Sequence, residues 1–325
     1  MMKCFTGLFL ILFLSGCIPK TENESETLSD PFFGLEPTDS VHLLLPGVIS
    51  SGTYEYNGTF SPDGSEFYYT LLLPNRGQIV GLKLKEDNTW VEPTFAAFSS
   101  PYSDVDPIFS PDGSRLYFTS NRPTSDTSDV KRNNIWYVEK DGDGWSSPQF
   151  VALTETGDYY SSITNNGDIY FNTWSNGDIY KAIKIDSSYL VERLPDAINL
   201  DKSVGDPFIS PNEDYLIFRG NNLKNTTGGL DLYISFNLDN QWTEPINLGE
   251  PINTKAGELC PYVTADGKLF IFASNRLLND FDPKPGESIA TFRTKSESFD
   301  NGSWNIYYTS TDFIERLRKK AMVQN

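Results

Sequence analysis

Histidine and positive charge are both scarce in this chain of 325 residues. His42 is the only histidine, so a zinc site built from several histidines is excluded. Only 26 Lys and Arg stand against 44 Asp and Glu, which gives a formal net charge of −18. Such a chain repels nucleic acid and anionic lipid headgroups. Asp141–Gly144 lacks the ligand spacing and closing Glu of a calcium loop. We therefore expect no metal, no cofactor and no nucleic-acid partner.

Long apolar runs are absent except near the N-terminus. Leu8–Leu14 is too short to span a bilayer, and Lys3 precedes it, which indicates a signal peptide over residues 1–16. The end of this segment, Leu14-Ser15-Gly16-Cys17, resembles the lipobox of bacterial lipoproteins. The resemblance implies cleavage before Cys17 and lipidation of that cysteine. An ordinary secretory signal with an incidental cysteine is the alternative.

The segment that follows, residues 17–30, is polar and rich in Glu, Ser, Thr and Asn, so it is expected to be a flexible tether. Ile18 rather than Asp after Cys17 suggests the outer membrane, on either its periplasmic or its cell-surface side. The lipid is then the only contact with the membrane. Cys4 leaves with the signal, so Cys260 is the only remaining thiol and no intramolecular disulfide can form.

A short phrase recurs five times: an apolar residue, a turn resembling Ser-Pro-Asp-Gly, and an aromatic strand. The copies begin at Phe60, Phe109, Ile163, Ile209 and Val263, with spacings of 49, 54, 46 and 54 residues. A period near 50 built from short strands is typical of a β-propeller. We predict an all-β fold in residues 31–325: a five-bladed β-propeller of four-stranded blades with a short C-terminal tail.

The last repeat has no outermost strand of its own. Val41–Pro46 has the apolar-then-proline character of such a strand, and pairing it with blade 5 would close the ring and remove two open sheet edges. His42 then lies on an outer strand, far from the channel, where it serves no Ser–His pair. A six-bladed propeller, with a blade built from residues 31–50 and Asn275–Ser303, is the alternative.

The pattern resembles the TolB-type, WD40-like propeller repeat of bacterial envelope proteins across roughly residues 41–310. The closest match is Phe109-Ser110-Pro111-Asp112-Gly113 followed by Leu116–Arg122, and the run from Ile246 to Gly267 is typical of Bacteroidetes-like envelope lipoproteins. Blades 1 and 3 depart from the pattern. The resemblance implies a rigid binding propeller and carries no shared catalytic set.

The candidate site lies where long loops gather. In each blade the turns between first and second strands are short, whereas the irregular loops lie on the opposite face, at the channel mouth. Residues that begin the first strands should ring this mouth: Asn57, Asp106, Tyr160, Asp206 and Cys260, with Asp104 and Glu258 two residues earlier and Arg122 and Arg276 on the same face. They predict either a polar cup for a ligand or an Arg–carboxylate network that pins neighbouring blades.

Trp174 breaks the repeat on this face, because the equivalent residues of three other blades are Asn121, Asn221 and Asn275. An exposed Trp beside polar groups can stack on a sugar ring or fill a partner's pocket, and packing under a loop is the alternative.

Two functions remain open. The sequence favours a monomeric, non-catalytic binding or scaffold module whose ligand is a glycan, a peptide or an envelope protein. The alternative is a carbohydrate-active enzyme similar to glycoside hydrolases, which would use the channel-mouth carboxylates Asp106, Asp206 and Glu258. A pair of carboxyls without an Arg bridge would favour the enzyme, and full pairing with Arg would favour the binder.

Overall fold

The five repeats form five antiparallel sheets arranged as a five-bladed β-propeller. The structure, a computed structural model, describes residues 29–124, 132–199, 204–277, 281–299 and 301–324. The predicted signal peptide, Cys17 and most of the tether lie outside the described residues. Within those ranges, no helix is long and apolar enough to cross a membrane.

Each blade runs from an inner strand at the central channel to an outer strand at the rim. The chain begins with a 3-10 helix at Pro31–Gly34 and β1 (His42–Leu43). Blade 1 contains β2 (Tyr54–Phe60), β3 (Glu66–Leu73), β4 (Arg76–Lys83) and β5 (Thr94–Phe95). Blade 2 contains β6 (Asp104–Phe109), β7 (Arg115–Ser120), β8 (Asn134–Asp141), β9 (Gly144–Trp145) and β10 (Gln149–Val151). Blade 3 contains β11 (Asp158–Ile163), β12 (Ile169–Thr173), β13 (Ile179–Ile185) and β14 (Ser188–Arg193).

The last two blades follow the same plan. Blade 4 contains β15 (Val204–Ile209), β16 (Tyr215–Asn221), β17 (Leu230–Leu238), β18 (Gln241–Trp242) and β19 (Ile246–Asn247). Blade 5 contains β20 (Glu258–Val263), β21 (Leu269–Ser274) and β22 (Asn305–Ser310), with helix α1 (Ile289–Ser296) between β21 and β22. Helix α2 (Asp312–Gln324) ends the described chain.

The recurring turn is built from its own side chains. In blade 1 the Ser61 hydroxyl accepts a hydrogen bond from the Glu66 amide at 2.8 Å and donates to Asp63 at 2.6 Å. Asp63 in turn accepts the Ser65 amide at 3.0 Å. Gly64 adopts a φ of 72°, a left-handed conformation that glycine reaches without a Cβ clash. The turn therefore reverses the chain in five residues with its polar groups paired.

The outer strands are interrupted where a Trp-x-x-Pro segment occurs. In blade 4, Trp242 pairs with the end of β17, Pro245 follows, and pairing with β17 resumes only at Ile246. Proline has no N–H for the ladder, so a strand tolerates it at an edge. The indole of Trp145 donates to the Tyr68 hydroxyl of the preceding blade at 2.8 Å, so this tryptophan packs one blade against the next.

The ring closes with the N-terminal strand, as predicted. His42 and Leu43 pair antiparallel with Tyr308 and Tyr307 of β22, and the Leu44 amide donates to the Ile306 carbonyl at 2.8 Å. Blade 5 is thus completed by the other end of the domain. The six-bladed alternative was wrong, because residues 31–50 complete an existing blade and the described part of residues 275–303 forms no strand.

The channel is closed on the turn side. Aromatic and aliphatic side chains from the ends of the inner strands meet there: Phe60, Ile108, Ile163, Phe208 and Tyr262. The Tyr262 hydroxyl donates to the Phe60 carbonyl at 3.0 Å, so the plug is tied across blades. Helix α2 buries Phe313, Ile314 and Leu317, with the Phe313 ring 5.0 Å from that of Phe270. The predicted C-terminal tail is therefore a helix docked on the propeller.

Ring closure should control stability. Leu44 is fully buried beside β22, so Leu44→Ala should lower the free energy of unfolding by about 2–4 kcal/mol, through lost burial and the cavity left behind. Urea unfolding followed by tryptophan fluorescence measures the change. Val48→Ala is the matched control, because Val48 is exposed in the same segment and its loss should cost less than about 0.5 kcal/mol. Equal effects of the two substitutions would contradict closure by this strand.

Candidate functional site

Every inner strand carries a bulge at the same place. The register of the first two strands slips there, and the bulged residue has a positive φ between 50° and 56°: Asn57, Asp106, Tyr160, Asp206 and Cys260. These are the five residues expected to ring the channel mouth. A left-handed conformation costs a non-glycine residue roughly 1–2 kcal/mol, so the surrounding structure must hold it in place.

Side chains of the neighbouring blade hold these bulges. The amide of Asp106 donates to the hydroxyl of Thr70 at 3.0 Å, and the amide of Tyr160 donates to Thr119 at 3.0 Å. The amide of Asp206 donates to the Asn172 side-chain oxygen at 2.9 Å. In each case the acceptor lies on the second strand of the preceding blade. The bulges therefore join the blades as well as shape the channel.

Above the bulges lies a cup of about 640 Å³, open on the loop face. Its floor contains Asp106, Tyr160, Asp206, Arg219 and Cys260. Aromatic side chains form two of its walls, Tyr159 and Trp174 from blade 3 and Tyr54, Tyr56 and Trp304 from blades 1 and 5. The sequence predicted a site on this face. Two of the proposed acids, Asp106 and Asp206, line the cup together with Trp174.

The two acids on the floor have different partners. Asp206 forms an ion pair with Arg219, with Nε 3.1 Å from Oδ1. Asp106 instead accepts a hydrogen bond of 3.3 Å from the Asn57 amide group. Burial, reinforced by the charge of Asp206, raises the pKa of Asp106 to about 7. The floor therefore combines an ion pair with a carboxyl group that changes charge near neutral pH.

Cys260 is a buried residue in the floor of the cup. Its side chain is almost fully enclosed, and its thiol lies 3.9 Å from Asp206. Burial, together with the charges of Asp206 and Asp106, raises the pKa of this thiol well above its usual range. The reactive thiolate is therefore disfavoured.

Trp174 projects from the rim of the cup. It is 61% exposed, and its ring lies 4.8 Å from that of Tyr159, with 36° between the two planes. Its backbone amide donates to the Gly157 carbonyl, so the indole is not needed to hold the loop. A large aromatic side chain that is supported from below and open to solvent above is a ready platform for a ligand.

The other predicted site residues do not line the cup. Asp104 is fully buried and pairs with Arg122 at 2.7 Å, and Glu258 is fully buried and pairs with Arg276 at 3.4 Å. Each arginine also donates to a backbone carbonyl of the segment before its blade, such as that of Ile252. These contacts form the Arg–carboxylate network that was one of the two expectations, but each pair lies within one blade rather than between blades.

A second motif, which was not recognised from the sequence, explains these acids. A Ser or Thr four residues before the acid donates to it through both its amide and its hydroxyl. The pairs are Ser51 with Glu55, Ser100 with Asp104, Thr154 with Asp158, and Thr254 with Glu258. The recurring Ser/Thr-x-x-x-Asp/Glu spacing was visible in four repeats. These acids close the loops that enter blades 1, 2, 3 and 5.

A second groove, of about 460 Å³, lies on the turn face between blades 2 and 3. Its charged groups have partners nearby, since Arg115 pairs with Glu139 at 2.7 Å and Lys140 pairs with Glu66. It is lined by the recurring turns, and it lacks the exposed aromatic platform of the cup. We therefore place the candidate site in the cup.

Comparison with known proteins defines the fold and no more. No protein-family model matches the sequence, and no curated protein sequence matches it. The solved structure of a putative TolB from Agrobacterium tumefaciens is 15% identical, with a TM-score of 0.47, over 79% of this chain and 90% of the other. A GH43 endo-arabinanase from Bacillus licheniformis is 11% identical, with a TM-score of 0.50, over 79% and 94%. At such identity the likeness is one of architecture. The chain is a five-bladed β-propeller.

The charge of Asp106 should make stability depend on pH. Its pKa is about 7 in the folded protein and about 4 in an unfolded chain, so the folded state binds the proton more tightly. Its contribution to stability is therefore lost as pH rises from about 4 to 7. Asp106→Asn mimics the neutral form and should raise the free energy of unfolding at pH 8 by on the order of 2 kcal/mol relative to wild type, with little change at pH 4.

Urea unfolding of both proteins at pH 4 and pH 8 measures this difference. Asp239→Asn is the matched control, because Asp239 is an exposed turn residue that also has a positive φ. A difference between Asp106→Asn and wild type that is equal at the two pH values would show that the Asp106 carboxyl titrates normally.

Proposed function

We propose that this protein is a non-catalytic binding module, held in the bacterial outer membrane by a lipid on Cys17, whose cup binds a glycan. The observation that carries the proposal is the pairing of the Tyr159–Trp174 platform with the polar floor of Asp106, Asp206 and Arg219 in a blind cup. A sugar ring has an apolar face and an edge of hydroxyls, so this combination matches it. An apolar peptide side chain would leave the floor unpaired.

The path of the chain supports a cup that faces away from the membrane. The Asp30 amide donates to the Asn88 carbonyl and the Phe32 amide donates to Gly64, so this part of the chain lies on the turn face. With Cys17 in the membrane, the intervening residues reach at most about 40–45 Å. The turn face is then held towards the lipid and the loop face is free to meet a ligand.

Trp174→Ala tests the proposal directly. The substitution removes the exposed platform, so it should weaken glycan binding about tenfold or more, which corresponds to roughly 1.4 kcal/mol. The melting temperature should change little, since the indole is largely exposed and the loop is held by the Trp174 backbone amide. The measurement is a glycan-array screen of the wild-type protein, followed by calorimetric titration of both proteins with the glycan that binds.

Phe95→Ala is the matched control, since Phe95 is an exposed aromatic on the outer strand β5, away from the cup. It should bind like wild type. Loss of stability without loss of binding in Trp174→Ala would make the indole a packing residue. Binding of no glycan by the wild-type protein would refute the proposed ligand and turn the search to peptides and envelope proteins, by cross-linking in the intact envelope.

Glycoside hydrolysis is the second candidate, because one observation favours it. Asp106 has a raised pKa and lies near the ion pair of Asp206 and Arg219. Glycoside hydrolysis requires a neutral acid near a carboxylate. Asp206 is bridged by Arg219, and Glu258 lies in its own pair with Arg276, so neither is a free nucleophile or base. Release of reducing sugar by wild type, and none by Asp106→Asn, would replace the binding proposal with this one.

A further inference from the structure

Blade 4 departs from the repeat at the position that holds the bulges. Going round the ring, the second strands carry Thr70, Thr119, Asn172, Arg219 and Ala273 at this position. Three of these side chains accept the bulge amide of the next blade. Neither Ala273 nor Arg219 has an acceptor atom to offer, and Arg219 is the residue of this column that places a charge there instead. The Cys260 amide that it would have served donates instead to Asp206 over a long 3.4 Å.

A second departure lies directly opposite the first. Gly205 pairs with Arg219 across the two strands, where the other blades have Tyr56, Val105, Tyr159 and Leu259. A Cβ at Gly205 would lie 2.6 Å from Nη2 of Arg219 and 2.8 Å from its Cζ. The missing side chain therefore makes room for the guanidinium.

Because Arg219 replaces the usual acceptor and Gly205 leaves space for it, a guanidinium lies in the floor of the cup. The Arg219 side chain lies against Asp206, whose charge raises the pKa of Arg219, and beside the Tyr159 hydroxyl under the platform. A guanidinium has five N–H donors, and Asp206 takes the one on Nε. The floor thus presents donors and acceptors side by side, at the foot of an aromatic wall.

We propose that Arg219 and Asp206, seated by Gly205, bind two adjacent hydroxyls of a neutral sugar whose ring lies on Trp174. This inference rests on the proposed glycan-binding function and names the class of glycan. A hydroxyl both donates and accepts, so a vicinal pair matches a guanidinium beside a carboxylate. Among the described residues that line the cup, Arg219 is the one cation, and it lies beside two acids in a chain of net charge −18. An acidic sugar would compete with Asp206 for that single cation and is disfavoured.

The experiment uses the full-length protein in detergent and calorimetric titration. The probes are methyl glycosides of glucose, galactose, mannose, xylose and arabinose, together with deoxy analogues that lack one hydroxyl of a vicinal pair and the available uronic acids. We expect a neutral glycoside to bind at least tenfold more tightly than its deoxy analogue and than its uronic acid.

Arg219→Thr introduces the residue that blades 1 and 2 have at this position. The fold should tolerate it, because the new threonine hydroxyl can accept a hydrogen bond from the Cys260 amide, as Thr70 and Thr119 accept the amides of Asp106 and Tyr160. The variant should lose at least tenfold in affinity for the neutral glycoside and no longer distinguish it from the deoxy analogue, while the melting temperature is kept. Gly205→Ala should weaken binding in the Arg219 protein because it displaces the guanidinium, and should change nothing further in the Arg219→Thr protein. Arg193→Thr, an exposed Arg on β14, is the control and should bind like wild type.

The outcomes separate this inference from the function on which it rests. Binding of glycosides with unchanged affinity and selectivity in Arg219→Thr would overturn the role of Arg219 and leave the glycan-binding function intact. Tighter binding of the uronic acid than of the neutral glycoside would overturn the assignment to neutral sugars. Binding of no glycoside or array glycan by wild type would overturn both proposals.

Discussion

The hydrogen bonds from the bulge amides of blades 2, 3 and 4 to side chains on the second strand of the preceding blade are the contacts on which the rest of the structure depends. The described chain has Cys260 as its single free thiol and no disulfide to tie the ring, so noncovalent contacts hold its blades together. The bulge places a residue such as Asp106 in a left-handed conformation, and the bond to Thr70 holds it there. The same bond turns the bulged side chain towards the axis. The bulge therefore both joins neighbouring blades and forms the floor of the cup.

Repetition separates the structural acids from the candidate functional ones. Asp104 and Glu258 belong to a motif that recurs in four blades, where a Ser or Thr four residues earlier closes the loop onto the carboxylate. A group that recurs in four of the five blades serves a structural requirement that those blades share. Trp174, Gly205 and Arg219 each occur once in their columns, and all three shape the cup or what lies within it. In a repeat protein, a residue that breaks the repeat in one blade is therefore a stronger indicator of a ligand site than a charged residue that recurs.

Much of this fold could be predicted from the chain because the signals are local. A five-residue turn pairs its own polar groups, so Ser61–Gly64 and its copies locate the strand pairs. The need to cover an open edge led from the missing strand of blade 5 to Val41–Pro46. The candidate site was predicted less well. Its face, Trp174, Asp106 and Asp206 were found, but Arg219 was missed. The guanidinium matters only because Gly205, 14 residues away, leaves space for it across the strand pair.

The sequence by itself determined the repeat, the order of the strands and the face where loops gather, because each follows from turn chemistry, strand periodicity and the repeat length. It favoured five blades, and the pairing of β1 with β22 then excluded a sixth. Only the tertiary structure decided which acids meet. Asp106 and Asp206 lie 100 residues apart and face the same space, whereas Asp104, two residues from Asp106, is buried against Arg122. A bulge of one residue sends neighbouring side chains in different directions, and the direction that leads to the axis is defined only when five blades close into a ring.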